Sequence, residues 1–322
     1  MLPVHRTLSI LDPTSLLGRE VTDGIARAFP DVQRRLFHTG ADPEHLIVEV
    51  SGEAVLVAPL SDPEQLERSV AVILTATPAP QVSTGLLAWL RANPSVALLD
   101  CTQPGIAGGE AACVLDAIPA ARRGLPWYHL VDPALAAAAR WFKALLPLAP
   151  EAFHATLLCP ASGFGAEAID ELASQGTARL SGRAPRRPAH LPAVLAFDLA
   201  LAADERSTAL EAQFAELFPA IERGFHVIDT GVFHGTLATV LLRCARDVPL
   251  ERARALLRAT PGLRLGRRNE NVTATGAAEQ DHVICGRLRV HGPCVTAWLL
   301  ADGLRVGGAG AVVELLSSLT AS

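Results

Sequence analysis

The chain has 322 residues, half of them hydrophobic, which suffices for a substantial core in one large domain or two medium ones. Its formal net charge of −5 argues against a general nucleic-acid binder, which needs a basic surface, and no apolar run approaches the roughly 20 residues of a membrane span. The first apolar stretch is short and broken by Asp12 and Pro13, unlike a secretion signal, so a cytoplasmic protein with reduced cysteines is the expectation.

Residues 7–11 (TLSIL) read as a strand, and 15–29 as a helix with Leu16, Leu17, Val21, Ile25 and Phe29 on one face. Asp12 or Thr14 is placed to cap that helix. The run VAVILT, 70–75, reads as a second buried strand. A helix near 83–92 follows, then a strand at 96–100 (VALLD). Buried strands alternating with helices imply a parallel sheet, with Asp12, Thr75 and Asp100 converging at its ligand-binding edge.

A long alanine-rich helix is predicted over 134–146, a strand over 156–160, a tight turn at SGFG (162–165) and a helix over 166–175. Residues 176–193 are rich in Arg, Pro and Gly and read as a surface excursion; the basic run Arg183–Arg187 reads as a solvated loop. Residues 195–199 read as extended and 207–218 as a helix. A β section follows at 226–244, a helix at 250–258, and strands near 283–289 and 295–300. GLRVGGAG, 303–310, reads as a glycine-rich turn before a last helix near 309–319. There is no internal repeat. Six cysteines stand at 101, 113, 159, 244, 285 and 294 without a CxxC pair, and the irregular spacing of Cys285, His291 and Cys294 does not suggest a metal site.

Several stretches together resemble the aspartate-semialdehyde dehydrogenases and their Usg-type homologues. They are LLGREV (16–21), LLDCTQ (98–103), SGFGAEAIDEL (162–172), LAFD (195–198), VFHGTLATV (232–240), CGRLR (285–289) and WLLADGLRVGGAG (298–310). They run in the family's order over nearly the whole chain. The resemblance implies an α/β fold: a Rossmann-like, NAD(P)-binding-type domain over 1–130, and an α+β catalytic and dimerisation-type domain over 131–302. The segment from about 303 to 322 returns to the first domain. It also implies a homodimer built on strands of the second domain, with no nucleic-acid or membrane partner. No protein partner is specified.

The family reduces an acyl phosphate to an aldehyde through a cysteine thiolate, a proton-moving histidine and NADPH. At the matching positions the residue types differ. The turn that carries the cysteine aligns with VDPALAAAARW, 131–141, which puts Leu135 at the nucleophile, and no cysteine lies between Cys113 and Cys159. The base histidine aligns with Thr236, whose hydroxyl has no useful pKa near neutrality. His234 is a weak substitute: strand spacing would put it on the same face as Thr236. The substrate-binding arginine aligns with Asp229, which would repel a carboxylate.

In the family's glycine loop, DPTSLLGRE keeps only Gly18. Asp12 and Ser15 replace the two glycines that approach the phosphates, and Asp12 brings a negative charge toward a diphosphate. The resemblance implies Thr14, Ser15, Gly18, Ser162, Gly163 and Gly165 as the cofactor-binding positions. NADP is the implied cofactor only if this loop still works. The turn FHTGADPEH, 37–45, where the family reads a 2′-phosphate, has no arginine, and Val306 and Ala311 stand at the family's Lys and Asn.

These substitutions point to a homologue that has lost catalysis and keeps the fold as a dimeric scaffold or partner-binding protein. Two alternatives stay open. One is a working NAD(P)-dependent oxidoreductase on another substrate, with Cys101 or Cys159 as the thiol to watch. The other is a nucleotide or metabolite sensor without turnover.

Overall fold

The computed structural model describes residues 7–40, 44–50, 52–116, 127–267, 270 and 272–320. The chain divides into two compact units, Met1–Asp132 with Gly308–Ser322, and Pro133–Gly307.

In chain order the first unit contains β1 (Thr7–Leu11), α1 (Leu16–Ala28), β2 (Gln33–His38), β3 (Leu46–Val50) and β4 (Glu53–Pro59). It continues with β5 (Ser69–Leu74), α2 (Pro80–Ala92), β6 (Ala97–Asp100), β7 (Ala112–Val114) and β8 (Trp127–Leu130). The strands form one sheet in the order β3-β4-β2-β1-β5-β6-β8-β7, parallel throughout except for the antiparallel pair β3–β4. β1 is buried at every position because both sheet faces are covered, as parallel strands require. Leu8 and Ile10 face one core with Val21 and Ile25 of α1, while Leu11 faces another with Leu86 and Leu90 of α2. The closing helix, Gly310–Thr320, packs on α1, and its Val312, Leu315 and Leu316 join the first of these cores. The expected return of the last helix to the first unit is therefore present.

The predicted strands at 7–11, 70–75 and 96–100 lie within one residue of those observed, while β2, β3, β4, β7 and β8 carry no signal in the sequence reading. β2 opens on Gln33, Arg34 and Arg35, and the β3–β4 edge pair leaves Leu46, Ile47 and Leu56 exposed, so neither has a buried-strand pattern.

The second unit contains α3 (Pro133–Ala144), β9 (Pro150–Cys159), α4 (Ala166–Leu180), β10 (Leu199–Leu201), α5 (Asp204–Leu217) and β11 (Glu222–Thr230). It continues with β12 (Thr236–Cys244), α6 (Leu250–Ala259), β13 (Leu263–Leu265), α7 (Ala274–Ala277), β14 (Val283–His291) and β15 (Cys294–Ala301). Its mixed sheet runs β10-β11-β9-β12-β15-β14-β13. β9, β11 and β12 alternate buried and open side chains. The buried face meets α3 and α5 through stacked and edge-on rings of Phe142, Phe153, Phe214, Phe218 and Phe225.

Two expectations for this region are corrected. The excursion assigned to 176–193 is helical to Leu180, and α4 then pins the segment beyond its own end. Glu171 accepts backbone N–H bonds from Ala189, His190 and Leu191, while the Gln175 amide oxygen accepts from Leu195 and Ala196. The glycine-rich stretch 303–310 is not an open turn: Leu304–Ala309 is a π-helical turn that runs into α8 (Gly310–Thr320). The Asp302 carboxylate accepts from the backbone of Leu304 and Arg305 and so caps the turn. Gly307 packs directly on Pro133 and Ala136, so a methyl there would meet both at under 3 Å. Its glycine serves close packing.

No helix among the described residues is long and apolar enough to cross a membrane.

Candidate functional site

In the first unit, the loop after β1 uses its polar groups on itself. Ser15, and neither Asp12 nor Thr14, is the N-cap of α1: its hydroxyl accepts the Gly18 N–H at 2.9 Å. That bond occupies a donor which, at a phosphate-binding helix start, would face the ligand. Thr75, at the end of β5, lies with its hydroxyl 2.8 Å from the carbonyls of both Leu11 and Asp12. Thr14 is half-buried and its carbonyl accepts from Arg19 Nε at 3.2 Å.

Asp12 does not aim at the helix start, as its alignment suggested. It sits at φ 58°, and its carboxylate accepts the Thr39 N–H at 2.8 Å and the Thr39 hydroxyl at 2.7 Å. Burial raises its pKa, opposed by these bonds and by His38. Thr39 follows β2, in the turn where the resemblance places recognition of a 2′-phosphate. An internal carboxylate thus holds two anion-binding donors there. Gly18 has no room for a side chain, since a methyl would stand 2.2 Å from the Asp12 carbonyl oxygen. At the end of β6, Asp100 is fully buried and its carboxylate accepts from Thr102 N–H, Thr102 Oγ1 and Ile106 N–H, which closes that turn as well.

In the second unit the structure gathers the remaining positions at one end of the sheet. Ala161–Phe164 is a single 3-10 turn, and Gly165, at φ 102°, opens α4. The N–H groups of Ala161 and Ser162 bond to the carbonyls of Val232 and Phe233, tying this turn to the β11–β12 connection. Gly163 stands beside the Arg206 guanidinium, which lies 5.0 Å from the Phe164 ring centroid. Arg206 also reaches Asp229 with N···O 2.5 Å. Asp229 is therefore not the bare repelling charge expected from its alignment. Burial raises its pKa and Arg206 opposes the rise by charge and by hydrogen bond. Sequence reasoning missed Arg206; the available signal was a carboxylate on the inward face of a strand, which needs a partner.

Thr236 opens β12, buried, and its hydroxyl lies near Gly303, which also touches Pro133 at the start of α3. His234 is not on the strand. It lies in the connection before Gly235, whose φ is 91°, so the same-face relation expected for His234 and Thr236 does not hold. Leu135 is fully buried, in a helix whose residues from Ala134 to Phe142 are all buried.

Neither candidate thiol has the setting of a nucleophile. Cys159 is 1% exposed and Cys101 is 5% exposed; burial, with Asp100 beside it, pushes the Cys101 thiol far above its ordinary value. Burial likewise takes Cys285 up to about 12. Five cysteines are buried and Cys294 alone is partly open, all six being free. The native protein is therefore expected to react promptly with a colorimetric thiol reagent at one cysteine, Cys294, and at all six in denaturant. Prompt reaction of a second thiol, mapped to Cys101 or Cys159, would restore those residues as candidates.

The sequence model for the semialdehyde dehydrogenase dimerisation domain matches residues 143–306. A USG-1 protein homolog of Azotobacter vinelandii is 29% identical over 194 residues, a match spanning 55% of this chain and 57% of that protein. The fold is similar to that of aspartate semialdehyde dehydrogenase II from Vibrio cholerae, crystallised with ASA, at TM-score 0.87 and 20% identity, covering 99% of both chains. It is also similar to a probable aspartate-semialdehyde dehydrogenase of Pseudomonas aeruginosa, at TM-score 0.80 and 22% identity, covering 96% of this chain and 97% of that one.

Proposed function

From the premise that this chain belongs to the semialdehyde dehydrogenase family, we propose that it is a non-catalytic member that acts as a homodimeric scaffold. The observation that carries this reading is Leu135, a hydrocarbon side chain with no exposed surface at the position aligned with the family's thiolate. A leucine forms no thioester, and without one there is no acyl-enzyme to accept hydride. Thr236 in place of the base and the Arg206–Asp229 pair in place of a free substrate arginine support the same reading, as does the self-satisfied loop at Ser15, Thr39 and Asp12.

The dimer is assigned to the sheet of the second unit. Its face opposite α3 and α5 leaves Leu241 and Trp298 37% and 42% exposed, and its edge strand β10 leaves Leu199 and Leu201 59% and 83% exposed. Side chains of this size in that concentration mark an association surface. A protein partner of the dimer completes the scaffold role.

The test is a turnover assay in the oxidative direction with aspartate semialdehyde, inorganic phosphate and NADP or NAD. No nucleotide reduction above the protein-free control is expected. Steady nucleotide reduction that scales with protein would overturn the loss of catalysis and would point to a substrate chemistry that needs no thiolate at position 135.

A further inference from the structure

β3 is an end strand of the first unit's sheet and pairs only with β4 among the described residues. The outward backbone N–H and C=O groups of an end strand are a template for another strand, and proteins usually protect them. The other three sheet ends among the described residues, β7, β10 and β13, are each three residues long, which leaves little edge to pair. β3 runs for five residues, in unbroken register with β4 from Leu46 opposite Val57 to Val50 opposite Glu53. It contains no lysine, arginine, proline or glycine, and no bulge turns it away.

The two faces of the β3–β4 pair differ. Val48, Val50, Val55 and Val57 turn toward the core shared with α1 and α8. Ile47 and Leu56 stand opposite each other on the other face and are 74% and 58% exposed. The core under α2 takes in Phe37 and Ala58 on that face but stops short of Ile47 and Leu56. A further strand beside β3 would cover the Ile47 side chain. The charge on the pair has one sign. Glu49 and Glu53 are the only charged residues of the two strands, and both are exposed. Glu49 lies two residues after Ile47 and so shares its face. A second copy paired at this edge would bring like charges together, which disfavours self-pairing.

We propose that β3 docks an extended segment of a partner protein as a further strand of the first unit's sheet. Backbone bonds to β3 hold the segment, an apolar side chain covers Ile47, and a lysine or arginine two residues along pairs with Glu49. The partner is a protein that exposes a short strand with apolar and basic residues on one face. This names the kind of partner that the scaffold needs, and it rests on the scaffold reading for that need. The site stands on the first unit alone and uses no residue of the sheet assigned to the dimer.

The probe is a labelled peptide, Lys-Thr-Val-Val-Val-Thr-Lys, which places valines and its end lysines on one face. It is titrated against the purified chain by fluorescence anisotropy. Two controls accompany it: the same peptide with glutamate in place of lysine, and the same peptide N-methylated along its backbone, which removes its donors. Saturable binding of the basic peptide is expected, with both controls weaker by about ten-fold or more. Amide exchange of the chain should slow over β3 when the peptide binds. Ile47→Lys and Glu49→Lys change exposed positions and should keep the parent Tm. Each weakens the basic peptide by about ten-fold, and Glu49→Lys makes the glutamate peptide the tighter of the two. No saturable binding of the basic peptide, equal binding of its N-methylated form, or unchanged affinity in Ile47→Lys overturns the site. A change in sedimentation on Ile47→Lys without peptide means that a second copy pairs at β3, which also overturns it. The turnover assay on the same preparation separates this site from the scaffold reading. Peptide binding together with nucleotide reduction keeps the site and overturns the scaffold, whereas the absence of both overturns the site and leaves the scaffold.

Discussion

Replacing Arg206 by methionine is expected to cost the second unit about 3–5 kcal/mol at neutral pH, a fall in Tm on the order of 10 °C. The Asp229 side chain is 2% exposed and that of Arg206 23% exposed, so the bond between them is shielded from water. Methionine keeps much of the stem's packing but leaves a buried carboxylate without its counter-charge. The ring contact between the guanidinium and Phe164 is lost as well. The pH dependence has a defined sign. Burial raises the Asp229 pKa and Arg206 holds it down. Without Arg206 the folded-state pKa rises further above its unfolded value. The folded variant then takes up a proton more readily than the unfolded chain, and its deficit shrinks as pH falls toward the ordinary carboxylate range. The double change Arg206→Met with Asp229→Asn removes the buried charge and should recover part of the loss. Thermal unfolding at neutral and acidic pH checks all three. A loss under about 1 kcal/mol that does not vary with pH would make the pair a surface contact.

The second large effect is expected at Gly18. Alanine there should destabilise the first unit by about 1–3 kcal/mol or more, although alanine is the better helix former. The new methyl would stand 2.2 Å from the Asp12 carbonyl oxygen and 2.7 Å from the hydroxyls of Ser15 and Thr75. The first of these is backbone held at the end of a buried strand and cannot swing away. Gly176, inside α4, is the control of opposite sign: a methyl there meets nothing within 4 Å, and Gly176→Ala should gain about 0.5–1 kcal/mol. A neutral Gly18→Ala would mean that the glycine is not retained for packing. With the expected loss, the survival of this one glycine is explained by the fit of strand, loop and helix, and gives no support to phosphate binding.

Buried strands were legible because their residues are apolar on both faces, as in TLSIL and VAVILT. Strands at sheet edges were not, because QRRLFH and the β3–β4 pair follow no such rule. The candidate positions 135, 229 and 236 could be found only through resemblance to a family, since a leucine, an aspartate and a threonine announce no chemistry. Their surroundings were not legible at all. Arg206 lies in the first turn of a helix beside Asp204 and Glu205, one residue before the predicted helix begins, and only the fold brings it to Asp229. Asp12 was read against the helix beside it in sequence, whereas its partner is Thr39, beyond the next strand. His234 failed as a strand residue because Gly235 turns the chain before β12 begins. GLRVGGAG looked like a turn because close packing and turn formation both select glycine.

The most direct measurement is a titration of the purified chain with NADPH, following nucleotide fluorescence and thermal stability together. With Ser15 capping its own helix and Asp12 holding Thr39, no saturable fluorescence change and no rise in Tm are expected up to millimolar nucleotide. Saturable binding in the micromolar range, with the matching rise in Tm, would contradict the loss of the cofactor site and favour the oxidoreductase or sensor reading over the bare scaffold.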